Sequence, residues 1–152
     1  MSWQNDLRRG EIGEGVSLSY LHALPNVLFI QDVRKEKKWQ QADVDFLVHT
    51  ETQVTKVEVK TEMAYKNFFY ESESFGKVGC CERSQADVFL VYLSEMNGKL
   101  LQINVKKIRD YVHTLSQEEL KTNKNGDSKG YSIPIELLIS KQIAKVVFEG
   151  EN

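Results

Sequence analysis

Four charged residues in two short stretches have the types and spacing for shared chemistry: Asp43 and Asp45 in DVDFL, and Glu58 and Lys60 in VEVK. Residues 42–60 alternate polar and apolar, which reads as two strands with a turn near Glu51-Thr52. Folded as an antiparallel hairpin about that turn, Asp45 faces Glu58, Asp43 faces Lys60, Phe46 faces Val57 and Val44 faces Val59. Strand side chains alternate between faces. Val44, Phe46, Val48, Val57 and Val59 then share an apolar face, and the four charged residues share the other. Directly opposed like charges destabilise a sheet, so two facing carboxylates are better held with a cation between them. An all-oxygen site suits Mg²⁺, bound at about 2.0–2.1 Å with several waters retained. The competing reading is a solvated face on which Asp43–Lys60 is a surface pair worth about 0–1 kcal/mol.

A helix must stand over such a hairpin, and residues 3–24 supply one that Pro25 ends. Leu7, Leu18 and Leu21 lie on the same helical face as Glu14, which places that carboxylate in the stripe that packs on the sheet. A buried charge needs a partner, so Glu14 is a candidate donor to the hairpin site; an exposed Glu14 on a frayed helix is the alternative. Gly10, Gly13 and Gly15 each weaken the helix by about 1 kcal/mol relative to alanine, while their missing side chains permit close approach. A phosphate-binding loop is excluded: G-x-x-x-x-G-K-[ST] is absent, no strand precedes the glycines, and two glutamates repel phosphate.

The rest of the chain reads as scaffold. Strands are predicted over 26–33, 67–73, 87–93 and 99–105, a polar connection over 34–41, and a loop or short helix over 76–85. A helix over 106–120, a polar loop over 122–130, then a short helix and a last strand complete the order. The pattern is α/β or α+β, and at 152 residues a single domain spanning 1–152 is expected. The composition, 41% apolar and 28% charged, is that of a globular protein, and no apolar run is long enough to span a bilayer. With no signal-peptide pattern at the N-terminus, a cytoplasmic location is expected. Cys80 and Cys81 are adjacent, a poor arrangement for a disulfide, and read as reduced. The net charge of −2 does not itself indicate a nucleic-acid binder, yet RKEKK at 34–38 is a local basic cluster.

Together these motifs resemble the PD-(D/E)XK nuclease superfamily in its Holliday-junction-resolvase-like branch. GEIGEGVSLSYL (10–21) is similar to that branch's first helix, DVDFL (43–47) to its acidic strand, and VEVK (57–60) to its E-x-K strand. SQADVFLVYL (84–93) resembles the strand that follows, and NFFYESESFGKVG (67–79) an insertion found in some phage-type members. No proline precedes the motif aspartate, and the C-terminal third carries no signature of the family.

The resemblance implies a restriction-endonuclease-like fold, with a central mixed β-sheet flanked by helices. It implies a Mg²⁺-dependent endonuclease, with Mn²⁺ as substitute, acting on nucleic acid and on DNA by preference. Asp45, Glu58 and the Val59 backbone carbonyl would hold the ion, with Glu14 joining directly or through water. Lys60 would orient the attacking water or stabilise transition-state charge, with Asp43 behind it or, in a register shifted by two, as an alternative ligand. The helix-borne Gln or Lys of the family falls on either Lys77 or Gln85. Arg34, Lys35, Lys37 and Lys38 are candidate phosphate contacts. Tyr65, Phe68, Phe69 and Tyr70 either stack on bases or pack in the core or at an interface. A junction resolvase would work as a homodimer. The rival class is a non-catalytic nucleic-acid-binding or assembly module on the same fold.

Overall fold

Helix α1 (Trp3–His22) stops shortly before Pro25 and is followed by β1 (Phe29–Asp32) and the one-turn helix α2 (Lys37–Gln41). The hairpin β2 (Phe46–His49) and β3 (Val54–Glu62) comes next. Then come β4 (Asn67–Ser74), β5 (Lys77–Val78), α3 (Cys80–Arg83), β6 (Val88–Leu93) and β7 (Lys99–Asn104). The chain closes with α4 (Val105–Val112), β8 (Lys121–Thr122), β9 (Ser128–Pro134), α5 (Ile135–Ser140) and β10 (Ala144–Phe148). The structure is a computed structural model, and it describes residues 3–63, 66–123 and 125–150.

The main sheet has the order β1-β2-β3-β6-β7-β10. β3 and β6 run parallel, and the other neighbours pair antiparallel. The sheet is therefore mixed and flanked by helices. A second sheet, β5-β4-β9-β8, is built from the segment between β3 and β6 and from the chain after α4. The β3–β6 crossover thus carries an added strand pair as well as α3.

Each face of the main sheet has its own apolar layer. Under α1 lie Leu21, Phe46, Val48, Val57, Leu90 and Leu100, with Val16, Leu18 and Val59 packed against them. On the opposite face Leu47, Phe89, Val91 and Leu101 meet Phe68, Tyr70 and Ile133 of the second sheet, with Ile108 of α4 and Leu138 of α5. Coverage on both faces explains why β6 reads as an unbroken apolar run.

Several expectations change. Val44 belongs to the second layer, opposite Phe46, because Asp43 takes a positive φ of 54° and ends the alternation. Phe68 and Tyr70 are wholly buried core residues, Phe69 is half-buried, and Tyr65 lies outside the described residues. The polar 34–41 stretch contains α2, and the helix expected over 106–120 ends at Val112. The 122–130 stretch is largely a turn between paired strands β8 and β9. Asn123 organises it, its Oδ1 accepting from the backbone N–H groups of Asp127 and Ser128. Among the described residues no helix is long and apolar enough to cross a membrane.

Candidate functional site

The β2–β3 hairpin has the register that the sequence requires, with Phe46 on Val57, Leu47 on Lys56 and Val48 on Thr55. Its turn is made by Thr50, whose hydroxyl accepts from the Gln53 N–H at 3.2 Å and whose own N–H donates to Gln53 O at 3.0 Å. At the other end, Asp45 N–H donates to Val57 O at 2.8 Å, and Asp45 Oδ2 accepts from the Val59 N–H at 2.7 Å. Val59 therefore meets Asp45 through its N–H, and Asp45 stands at the frayed end of the hairpin across from Glu58.

Beyond Asp45 the strand stops. The turn at Asp43 sends its carboxylate to Arg83, with contacts of 2.7 and 3.2 Å. Asp43 does not face Lys60, as strict alternation would require. Ser84 reinforces the turn, its hydroxyl donating to Asp43 O at 3.2 Å.

Glu58 and Lys60 project from β3 toward the second sheet, away from α1. Lys60 Nζ donates to Glu58 Oε1 at 2.9 Å, lies 3.4 Å from Cys80 Sγ and stands 4.8 Å from the centre of the Phe89 ring. Glu58 Oε2 is buried and has no hydrogen-bond partner among the described residues. Burial pushes the Glu58 carboxyl above its usual range, with Lys60 opposing the shift. The Ser84 hydroxyl also stands near enough to oppose it, although its hydrogen bond goes to Asp43 O. Burial alone would push the Lys60 ammonium down. The Glu58 carboxylate, with Cys80 Sγ beside it, outweighs it, holding Lys60 well above its usual value.

Asp45 is also raised, first by burial; the Val59 N–H opposes this, while the charge of Glu14 adds to it. Glu14 thus shares the electrostatic surroundings of Asp45, from the α1 side of the sheet edge. It reaches that edge because Gly13 lies flat on the sheet: a Cβ there would stand 2.5 Å from Thr61 Oγ1 and 3.0 Å from Tyr92 Cβ. Glu14 Oε2 accepts directly from Arg34 Nη1. Arg34 also grips Asp32 through Nε and Nη2, at 2.9 and 2.7 Å, and its guanidinium lies 5.1 Å from the centre of the Phe46 ring. Lys35, Lys37 and Lys38 are exposed beside it.

Neither candidate for the family's helix-borne residue reaches Lys60. Lys77 lies in β5, bound to β4 in the second sheet, and Gln85 is exposed beyond the end of α3. α3 instead brings Cys80 to Lys60 and Arg83 to Asp43. Cys80, Arg83 and Ser84 escaped the sequence reading, because only the crossover places α3 against β3. Glu62, next on the Glu58–Lys60 face, is a half-buried carboxyl raised by desolvation, and the period-2 spacing of Glu58, Lys60 and Glu62 was the signal for it.

The donor set fits a hard divalent ion in part. Asp45 and Glu58 offer carboxylate oxygens, and the orphaned Glu58 Oε2 is the kind of atom that a cation would satisfy. Glu14 Oε2 is held by Arg34, so Glu14 would join through Oε1 or by leaving Arg34. Among the described residues no three His, Cys, Asp or Glu side chains are already gathered as a metal-holding group. No family model and no curated protein matches this chain.

Proposed function

We propose that this protein hydrolyses nucleic-acid phosphodiester bonds with a divalent cation at the end of the β2–β3 hairpin. The observation that carries this reading is Glu58: a buried carboxylate with one oxygen on Lys60 and the other without a partner among the described residues. It stands across from Asp45, whose orientation is fixed by the Val59 N–H. Such an orphaned oxygen costs free energy in a purely structural pair. A bound Mg²⁺ would neutralise charge on the scissile phosphate and acidify its water. Asp45 and Glu58 would hold it, and Glu14 would approach from α1. Lys60, kept charged within the site, would stabilise negative charge developing on the phosphoryl oxygens. DNA is the favoured substrate through the motif resemblance, and cutting both strands of a junction would require a homodimer.

The test is cleavage of labelled single-stranded, duplex and four-way-junction DNA in Mg²⁺, in EDTA, and with Glu58→Ala. Metal-dependent cutting that disappears in the variant supports the reading, and the preferred substrate names the type. Sedimentation showing a strict monomer would remove the resolvase form.

One observation favours a non-catalytic binding or assembly module instead: Glu14 is already paired with Arg34, and among the described residues the carboxylates are not preassembled. Nucleic-acid binding with no cutting in Mg²⁺ or Mn²⁺ would select it.

A further inference from the structure

Arg34 occupies an unusual place for a surface cation. Its backbone N–H and its Nε both donate to Asp32 Oδ1, at 3.1 and 2.9 Å, and Nη2 donates to Asp32 Oδ2 at 2.7 Å. Its carbonyl accepts from Gln40 Nε2 at 2.9 Å, which ties the segment to α2. The guanidinium is therefore anchored to Asp32 on one side, while Nη1 alone reaches Glu14. Arg34 and Glu14 side chains are each 35% exposed, so both groups border solvent. The trio of Glu14, Asp32 and Arg34 carries a net charge of −1, which repels phosphate although an arginine stands at its centre. If Glu14 leaves, Arg34 keeps its Asp32 anchor and gains a free Nη1–H beside the exposed Lys35, Lys37 and Lys38. A pre-oriented guanidinium fork with a free edge is a strong phosphate donor.

We propose that Arg34 is a backbone-phosphate contact whose availability is set by Glu14. A divalent cation at Asp45 and Glu58 draws the Glu14 carboxylate away from Arg34 and frees the arginine for nucleic acid lying along Lys35, Lys37 and Lys38. This rests on the metal-site reading above and adds a consequence that the reading alone does not carry: metal and nucleic acid bind with positive coupling, which by linkage is reciprocal. Glu14 is therefore a switchable ligand. Without metal, its neutralisation by Arg34 also keeps the site from holding phosphate unproductively.

The experiment measures anisotropy of a labelled DNA duplex and a four-way junction with and without Ca²⁺, a hard cation that takes the same oxygen ligands. Ca²⁺ binding without DNA is measured separately by calorimetry. The wild type should gain about 5- to 10-fold in DNA affinity with Ca²⁺, and Arg34→Gln less than about twofold. Glu14→Gln should free Arg34 without metal and bind metal-free DNA about 5- to 10-fold tighter than the wild type. Glu11→Gln removes the same charge from an exposed position on the same helix and controls for general electrostatics; equal tightening there overturns the proposal. A full Ca²⁺ gain retained in Arg34→Gln also overturns it, and Glu14→Gln carries the test if Arg34→Gln does not fold. Ca²⁺ bound with no change in DNA affinity overturns this inference alone. Absence of Ca²⁺ binding, or Ca²⁺ binding unaffected by Glu58→Gln, overturns the metal-site reading together with it, as does failure to bind any DNA.

Discussion

Lys60 donates to Glu58 from two residues along the same strand, 2.9 Å from Nζ to Oε1, with the two side chains only 12% and 11% exposed. The pair is therefore buried on one face of β3, and its energetics follow from desolvation more than from attraction. Removing one partner strands a charge. Lys60→Met or Glu58→Leu alone should destabilise the fold by about 3–5 kcal/mol, whereas the double substitution should recover most of that loss. Urea unfolding of the two single variants and the double variant gives the cycle, and simple additivity would show that the pair is not energetically coupled.

The raised carboxyls predict how metal and pH interact. Asp45, Glu58 and Glu62 are all pushed above the usual carboxylate range by burial. The folded chain then binds protons more tightly than the unfolded one. Stability from these groups falls as pH rises from about 4 through the raised values, and the cost persists at neutral pH. A cation that binds only the ionised carboxylates offsets that cost. The thermal midpoint should therefore rise with Mn²⁺ at about pH 7.5, by the equivalent of about 2.7 kcal/mol at a hundredfold excess over Kd, and rise less at about pH 5. Glu58→Gln should both flatten the metal-free pH dependence and abolish the Mn²⁺ shift. An equal shift at both pH values would place the ion elsewhere.

The hairpin register was legible because a shared apolar face and a turn near Glu51-Thr52 set Phe46 on Val57, the pairing found. Asp43 was not legible as an endpoint. Its left-handed backbone and its bond to Arg83 depend on α3, which is distant in sequence, and period-2 reasoning has no means of stopping a strand. The packed stripe of α1 is Gly13, Ser17 and Leu21, with Leu7 exposed and Glu14 on its flank; the partner of Glu14 was not legible, since the Glu14–Arg34 contact links α1 to the β1–α2 connection through the sheet edge. The pairing of Arg34 with Glu14 and Asp32 was hidden for the same reason: charge runs show composition, whereas pairing is tertiary. The second sheet was harder still, because β8 and β9 border a turn-rich stretch and β9 pairs with β4 across a long separation, from Asn67↔Pro134 to Ser74↔Ser128.

The two adjacent cysteines should behave differently. A hydrogen bond from Cys81 and the Lys60 ammonium outweigh burial and lower the Cys80 thiol, while the Cys81 thiol is pushed up and its side chain is buried. The thiolate is the reactive form. Iodoacetamide should label Cys80 first, with Cys81 protected until unfolding, as read by mass spectrometry. Lys60→Met should slow labelling of Cys80 without exposing Cys81. Equal labelling of both in the native protein would contradict the packing of α3 on β3.

The three glycines of GEIGEG should separate cleanly by substitution. At Gly10 and Gly15 an added Cβ meets nothing within 4 Å among the described residues. Alanine there should only improve helix propensity, stabilising by about 0.5–1 kcal/mol each. At Gly13 the same methyl group would crowd Thr61 Oγ1 and Tyr92 Cβ, both close to the sheet backbone and poorly able to yield. Gly13→Ala should cost about 1–3 kcal/mol despite its better propensity. It should also lift α1 from β3 and carry Glu14 away from Asp45. Urea unfolding of the three variants tests the first part, and Mn²⁺ affinity tests the second: weaker in Gly13→Ala, unchanged in Gly10→Ala. A stabilised Gly13→Ala would mean that α1 does not rest on Thr61 and Tyr92, and the route by which Glu14 reaches the hairpin would fail with it.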